Sequence, residues 1–315
     1  MSGLPKPIAT IDVGTNTALL LVSSWNQGEL VVLHDETRFV RLGQGVDAAG
    51  IVNQAAMQRL TDTLSHYNKV IEKWEVSTVI IGATSASRDA ANKDALIKSV
   101  KEKTGLTYRL LSGLEEAEWS FAGVGAGIRN DLSSILTIDI GGGSTEFTLG
   151  HKEGGAYIID AAQSLNVGSV RLMEKFFVTQ PPTQEMLTEA RHWLLEQLAL
   201  LQPVYRGNNA ALIGASGTTT TLASLKAPGH SATATLKSVM GTISEVSVQE
   251  WCDRLLGMNI QEVLALNPNV MKGREDVFPA GVFILRTIME YLDKELLHVN
   301  TWGLRHGLAL RYWRI

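Results

Sequence analysis

The sequence predicts an α/β protein whose architecture is laid down twice, and three observations carry that prediction. The chain has 315 residues, which suits two domains of about 150 residues each. Short apolar runs of strand length alternate with stretches of helical periodicity. One signature also occurs in two copies, as strand, aspartate, glycine, hydroxyl and strand again. The copies are Ile11-Asp12-Val13-Gly14-Thr15-Asn16-Thr17 and Ile138-Asp139-Ile140-Gly141-Gly142-Gly143-Ser144-Thr145-Glu146.

The first copy opens the chain. Strands are expected at Ile8–Val13, Ala18–Ser24 and Glu29–His34, with a fourth short one at Arg38–Leu42. A helix over Gln54–Trp74 follows from apolar residues at steps of three and four: Met57, Leu60, Leu64, Tyr67, Ile71 and Trp74. Then come a β-branched strand, Val76–Ala83, a helix over Lys93–Lys103 capped by Asn92 and ended by Gly105, and a strand at Leu106–Leu111. Ser112 starts a helix that joins the halves. Within it, Ser112-x-x-Glu115 fits a capping box, which explains Glu115 completely and leaves Glu116 unexplained.

The pattern restarts at Ser134, with strands at Ser134–Ile140, Ser144–Leu149 and Ala156–Asp160. Leu187, Ala190, Leu194, Leu198 and Leu201 mark a long helix. Ala210–Ala215 reads as a strand running into Ser216-Gly217-Thr218-Thr219. Ser247-x-x-Glu250 reads as a second capping box. Glu275–Lys294 is the last long helix, Leu297–Asn300 a strand, and Gly303 begins a short final helix. The expected division is 1–124 for the first domain, with residues about 301–315 packing back on it, and 125–315 for the second.

Composition excludes several function classes. The formal net charge of −4 gives no bulk attraction to nucleic acid or to acidic membranes. No stretch reaches the roughly 18 continuous apolar residues of a membrane span, and Met1–Pro7 carries no apolar leader core. One cysteine, Cys252, rules out a disulfide framework or a thiolate metal cluster. A reducing, cytoplasmic setting is the expectation. GxxxxGK[ST] and Gly-x-Ser-x-Gly are absent, and the spacing of Gly123, Gly125 and Gly127 is wrong for a dinucleotide fingerprint. Trp193, Trp251 and Trp302 read as core aromatics.

Two acidic glycine hairpins imply a particular chemistry. An ionised carboxylate repels phosphate, so Asp12 and Asp139 beside anion-binding loops make sense with a cation between, and Mg²⁺ is the natural one. The bland alternative is an Asx hydrogen bond that merely finishes each turn; the matched duplication favours the cation. Thr15, Asn16, Thr17, Ser144 and Thr145 add neutral donors, while Gly141, Gly142 and Gly143 let backbone amides approach a ligand. Ser216 and Gly217 end a strand ahead of a helix, which makes either an anion site or a capped turn. Arg88 could clamp phosphate or pair with Asp89. Glu116 could serve as a charge in the first helical turn or as the group that orients an attacking water.

Taken in order, these segments resemble the exopolyphosphatase/guanosine pentaphosphate phosphohydrolase (Ppx/GppA) family, part of the actin, Hsp70 and sugar-kinase superfamily. The resemblance includes both hairpins, Ala83-Thr-Ser-Ala-Ser-Arg88-Asp-Ala, Ser112-Gly-Leu-Glu-Glu116-Ala and Leu165-Asn-Val-Gly168-Ser-Val-Arg171-Leu. It continues through Gly214-Ala-Ser-Gly-Thr218, Gly273-Arg274-Glu-Asp-Val-Phe-Pro-Ala-Gly281 and Gly303-Leu-Arg305-His-Gly307. Thr15 and Thr17 stand where serines are more usual. A chain ending at Ile315 is similar to short members without the C-terminal HD-type region.

The resemblance implies two actin-like domains with a cleft between them and Mg²⁺-dependent removal of a terminal phosphate. Glu116 is then the catalytic glutamate. Asp139 and Glu146 serve metal and catalysis; Asp12 is added as a metal ligand from the matched hairpins and not from the resemblance. Asn16, Arg88, Gly141, Ser144 and Arg274 lie near the phosphates. The expected substrates are inorganic polyphosphate or guanosine pentaphosphate, and a homodimer is possible. The rival readings are a non-hydrolysing actin-like sensor and a sugar-kinase-type ATP phosphotransferase.

Overall fold

The computed structural model describes residues 5–128, 131–226 and 239–313. Met1–Leu4, the start of the segment read as lacking a leader, lie outside them. The chain divides into two compact units, Met1–Gly123 with Trp302–Ile315, and Val124–Thr301.

The first unit begins with an antiparallel meander of β1 (Ile8–Val13), β2 (Thr17–Asn26) and β3 (Glu29–Phe39). A single turn, α1 (Val46–Ala49), leads to α2 (Gln54–Lys73) and β4 (Thr78–Ala83). Next come α3 (Ser85–Asp89), α4 (Lys93–Thr104), β5 (Tyr108–Leu110) and α5 (Gly113–Gly127). The sheet order is β3-β2-β1-β4-β5, with β4 parallel to β1. Central β1 is buried along its length except at Asp12, because both its faces are covered. The α2 stripe buries Leu60, Leu64, Tyr67 and Ile71, and Tyr67 Oη donates to Ala18 O at 2.7 Å. The Asn53 side chain caps α2 by accepting from Ala56 N.

The second unit repeats this path with β6 (Ser134–Ile140), β7 (Thr145–Glu153) and β8 (Ala156–Leu165). Helices α6 (Ser169–Phe176) and α7 (Gln184–Leu198) precede β9 (Ala211–Gly214) and α8 (Gly217–Lys226). Then follow β10 (Val239–Ser244), α9 (Glu245–Leu256), α10 (Ile260–Leu266) and α11 (Pro268–Met271). Helix α12 (Phe278–Leu292) and β11 (Leu296–Asn300) complete the unit. Its order is β10-β11-β9-β6-β7-β8. Without β10, which pairs antiparallel on the β11 edge, this is the first unit's order again. Helix α12 is buried nearly all round and forms the centre of the core beside Leu194, Cys252 and Leu255.

The last helix, α13 (Leu304–Trp313), belongs to the first unit. Thr10 Oγ1 donates to Arg305 O at 2.7 Å, and Arg305 Nη2 donates to Asp35 Oδ2 at 3.0 Å. Gly307 lets α13 meet α5 backbone to backbone: a Cβ there would stand 1.7 Å from Trp119 O.

Three expectations are corrected. The fourth strand at Arg38–Leu42 does not form; β3 runs unbroken to Phe39, with Asp35 opposite Leu21 and Glu36 opposite Leu20. An edge strand tolerates charge, and Glu36 accepts from Arg38 Nε at 2.8 Å, so the polar run continues the strand. The capping box at Ser247 is displaced, because Ser244 is the cap and its Oγ accepts from Ser247 N. The side chain of Asn92 does not cap α4; it exchanges two hydrogen bonds of 2.9 Å with the Val52 backbone.

Cys252 is sealed in the second core, and burial pushes its thiol up to about 12. The thiolate is the reactive form. Ellman's reagent should therefore leave Cys252 unmodified in the folded protein and titrate one thiol after denaturation. Rapid native reaction would contradict this packing.

Candidate active site

Each unit gathers its candidate residues where two parallel strands end side by side, the usual ligand position in open α/β sheets. In the second unit these are β6 and β9, with Ile138 beside Gly214. The β6–β7 hairpin closes through Gly141 N donating to Ser144 O at 2.9 Å. Asp139 lies directly opposite Glu146 in the ladder, so both carboxylates project from one face of the sheet. The corresponding pair in the first unit is Asp12 opposite Leu19. The duplication has diverged here, and only the second unit carries two acids. Glu146 is 3% exposed, and its Oε1 accepts from Ser164 Oγ at 2.8 Å.

Like charges placed directly across a ladder repel. A divalent cation relieves that repulsion, and Mg²⁺ is ordinarily held by one or two carboxylates, with water and phosphate oxygens filling the other positions. The pair fits such an ion. No group of three or more His, Cys, Asp or Glu residues suited to a metal occurs among the described residues.

The other candidates in this unit divide by what they touch. Thr145 is fully buried, and its hydroxyl donates to Val167 O at 2.6 Å, so it holds the hairpin from within. Ser216 forms the capped turn: its Oγ accepts from Thr219 N, and its carbonyl accepts from the Thr219 and Thr220 hydroxyls, both at 3.0 Å. Arg274 Nη1 donates to Gly217 O at 3.2 Å and to Thr221 Oγ1, which joins Arg274 to the Ser216–Gly217 turn. Burial pushes its guanidinium down to about 10, so it stays charged at neutral pH.

In the first unit, β1 and β4 end together, with Thr84 N donating to Val13 O at 3.0 Å. Gly14 N donates to Thr17 O at 2.8 Å and closes the Thr15–Thr17 hairpin. Helix α3 starts right after β4 and carries Arg88 in its last turn. Arg88 Nη1 donates to Leu111 O at 3.0 Å and to Glu116 Oε2 at 3.1 Å. Its Nε lies 3.6 Å from Asp89 Oδ1, so the Asp89 pairing is present alongside the Glu116 contact. The capping box beside Glu116 is complete: Glu115 N donates to Ser112 Oγ, and Ser112 N donates to Glu115 Oε2. Glu115 is thereby committed to the helix end, while Glu116 is 8% exposed and turned to Arg88.

Ser164 was not foreseen, though the register shows how it could be found. It lies opposite Glu146 on β8, and a hydroxyl across from a buried carboxylate is an obvious partner. Gly168 and Arg171 were noted only as part of a resembling segment. A Cβ on Gly168 would stand 2.3 Å from Gly142 O, so only glycine lets that segment lie against the loop.

Comparison with known proteins gives this geometry a family. The model of the Ppx/GppA phosphatase family matches residues 21–313. The chain belongs to that family. Exopolyphosphatase 2 of Mycobacterium tuberculosis is 32% identical over 320 residues, covering 96% of this chain and 97% of the relative. A bifunctional 3-dehydroquinate synthase/phosphatase of Fusobacterium nucleatum is 34% identical over 93% of this chain. The match spans 44% of that relative's length. Among solved structures, an exopolyphosphatase from Cytophaga hutchinsonii is 28% identical with a TM-score of 0.87, covering 97% of both chains. The two sheets, sharing one strand order, are the two actin-like domains of a Ppx/GppA protein.

Proposed function

We propose that the protein is an exopolyphosphatase, hydrolysing the terminal phosphoanhydride of inorganic polyphosphate and releasing orthophosphate. The observation that carries this reading is the Asp139–Glu146 pair beside a glycine hairpin that can offer backbone amides to phosphate. Its exopolyphosphatase-named relatives support it.

Glu116 takes the proton from the attacking water as its oxygen bonds to the terminal phosphorus. The bridging P–O bond breaks, the shortened polyphosphate chain leaves with the bridging oxygen, and the terminal phosphoryl group is released as orthophosphate. In the second unit, Arg274 and the loop amides of 142–144 are the candidates for holding phosphoryl oxygens as charge develops on them, and in the first unit Arg88 is. Asn16, Thr15 and Thr17 line the matching hairpin. Asp139 and Glu146 would hold Mg²⁺, which supplies charge neutralisation at the phosphate, and Asp12 is the corresponding acid of the first unit.

The deciding experiment measures phosphate release from long polyphosphate, tripolyphosphate, guanosine pentaphosphate and ATP. Release from polyphosphate supports the proposal. Turnover of ATP only with an added acceptor would select a phosphotransferase instead, and binding without release a sensor. Guanosine pentaphosphate is the finer alternative substrate within the same chemistry.

Removal of divalent ions with EDTA should abolish release, and Mg²⁺ should restore it. Full activity in EDTA would sink the carboxylate assignment. Homodimerisation and cytoplasmic residence complete the proposal, and light scattering at working concentration decides the first.

A further inference from the structure

The carbonyls of the glycine hairpin are all turned one way. Gly141 O accepts from Ser169 N at 3.0 Å, and Gly142 O accepts from Val170 N and Arg171 N at 2.9 and 3.1 Å. The third carbonyl, Gly143 O, is met by a side chain: Arg171 Nε donates to it at 3.0 Å. In a trans peptide the C=O and N–H point in opposite directions. The N–H groups of Gly142, Gly143 and Ser144 therefore face away from the bracing segment 168–171. None of the three finds an acceptor among the described residues.

The first unit repeats the arrangement with different residues. Thr15 O accepts from Gly43 N at 2.8 Å, and Asn16 O accepts from Val40 N and Arg41 N at 3.0 Å each. There the brace itself is fixed by an arginine, Arg59, whose Nε and Nη2 donate to Val40 O at 2.8 Å and Arg41 O at 3.1 Å. Both braces follow the third strand of their unit. Each relies on one guanidinium bound to backbone carbonyls, from a different helix and with different contacts. A shared solution built from unlike residues identifies immobilisation of the carbonyl side as a requirement of both hairpins.

We propose that Arg171 is a positioning residue for substrate phosphate. Holding Gly143 O fixes the 143–144 peptide, so that Ser144 N–H joins those of Gly142 and Gly143 in one row aimed at the terminal phosphoryl group. The same bond polarises that peptide and strengthens Ser144 N–H as a donor. This inference rests on the hydrolase reading above for its substrate, though not for its geometry.

Three variants test it: Arg171→Met removes the donors, Arg171→Gln shortens the arm while keeping it polar, and Arg171→Lys keeps a donor near Gly143 O. With tripolyphosphate, the first two should raise KM about 10-fold, the order seen when a residue that orients a ligand from behind is lost, with kcat changing less. Arg171→Lys should recover most of the loss. Amide exchange at 142–144 should accelerate in the Met and Gln variants while the rest of the second unit keeps its protection. Wild-type KM together with wild-type loop exchange in those variants would overturn the proposal. If the Met variant does not fold, the Gln variant carries both measurements. If the wild type releases phosphate from no phosphoanhydride, the hydrolase reading fails. Tripolyphosphate binding and loop exchange then decide the role of Arg171 alone, with unchanged values rejecting it.

Discussion

Glu116→Gln should lower phosphate release by about 10²–10⁴-fold, the usual worth of a positioned general base, and leave substrate binding intact. At about 1.36 kcal/mol per decade this raises the barrier by about 2.7–5.4 kcal/mol. The side chain is nearly buried and engages Arg88 at 3.1 Å, so the carboxylate is held in one place before substrate arrives. Glutamine matches its size but cannot take up the water's proton. Arg88 retains its bond to Leu111 O and its pairing with Asp89 and, with the Glu116 side chain neutral, remains available to phosphate. Leaving a shielded guanidinium with a weaker partner should cost about 1–3 kcal/mol of stability, visible as a lower melting temperature of a folded protein. Single-turnover phosphate release and tripolyphosphate binding, measured on one preparation, separate the two effects. Wild-type turnover would remove Glu116 from the chemistry, and lost binding with lost turnover would make it a structural residue.

Gly307→Ala should be the most disruptive single-methyl change considered. The added carbon would stand 1.7 Å from Trp119 O and 2.7 Å from its carbonyl carbon, far inside van der Waals contact. Both atoms are backbone of α5, so no rotamer change relieves the clash and the two helices must separate. Gly123 makes the reciprocal approach, since a Cβ there would lie 2.2 Å from Gly303 O. Overpacking in a tight core costs about 1–3 kcal/mol, occasionally more, and an immovable neighbour puts this case at or above the top of that range. Trp119 is one turn beyond Glu116 on the same helix, so activity should fall together with stability. Urea titration should show the midpoint lowered, with the first unit becoming protease-sensitive before the second. A wild-type midpoint would mean that the helices have more room than the structure gives them.

How much of this was legible beforehand depended on where the determining interaction lay. The acidic hairpins are local, with aspartate, glycine and hydroxyl within seven residues, and they were placed correctly along the chain. Glu115 and Glu116 could be separated because a capping box spans only one turn. The unbroken β3 was missed because its polar second half is stabilised by pairing with β2 and by the Glu36–Arg38 contact, neither visible in residue order. The cap at Ser244 was misplaced by three residues because two serines at that spacing each offer a plausible helix start. Arg171 was passed over for a different reason. Its partner is a carbonyl, and backbone acceptors leave no mark in a sequence. Burial of Thr145 is similarly tertiary, since the acceptor at Val167 lies past the end of β8.

The return of α13 to the first unit has a consequence for biosynthesis. A ribosome releases the chain from its N-terminus, yet the Arg305–Asp35 ion pair and the Thr10–Arg305 bond join positions separated by 270 and 295 residues. Val124–Thr301 can close its core while the earlier-made sheet still lacks the helix that covers Leu111 and Trp119. The half translated first is therefore the half that matures last, and its bare apolar surface is what a chaperone would meet on the nascent chain.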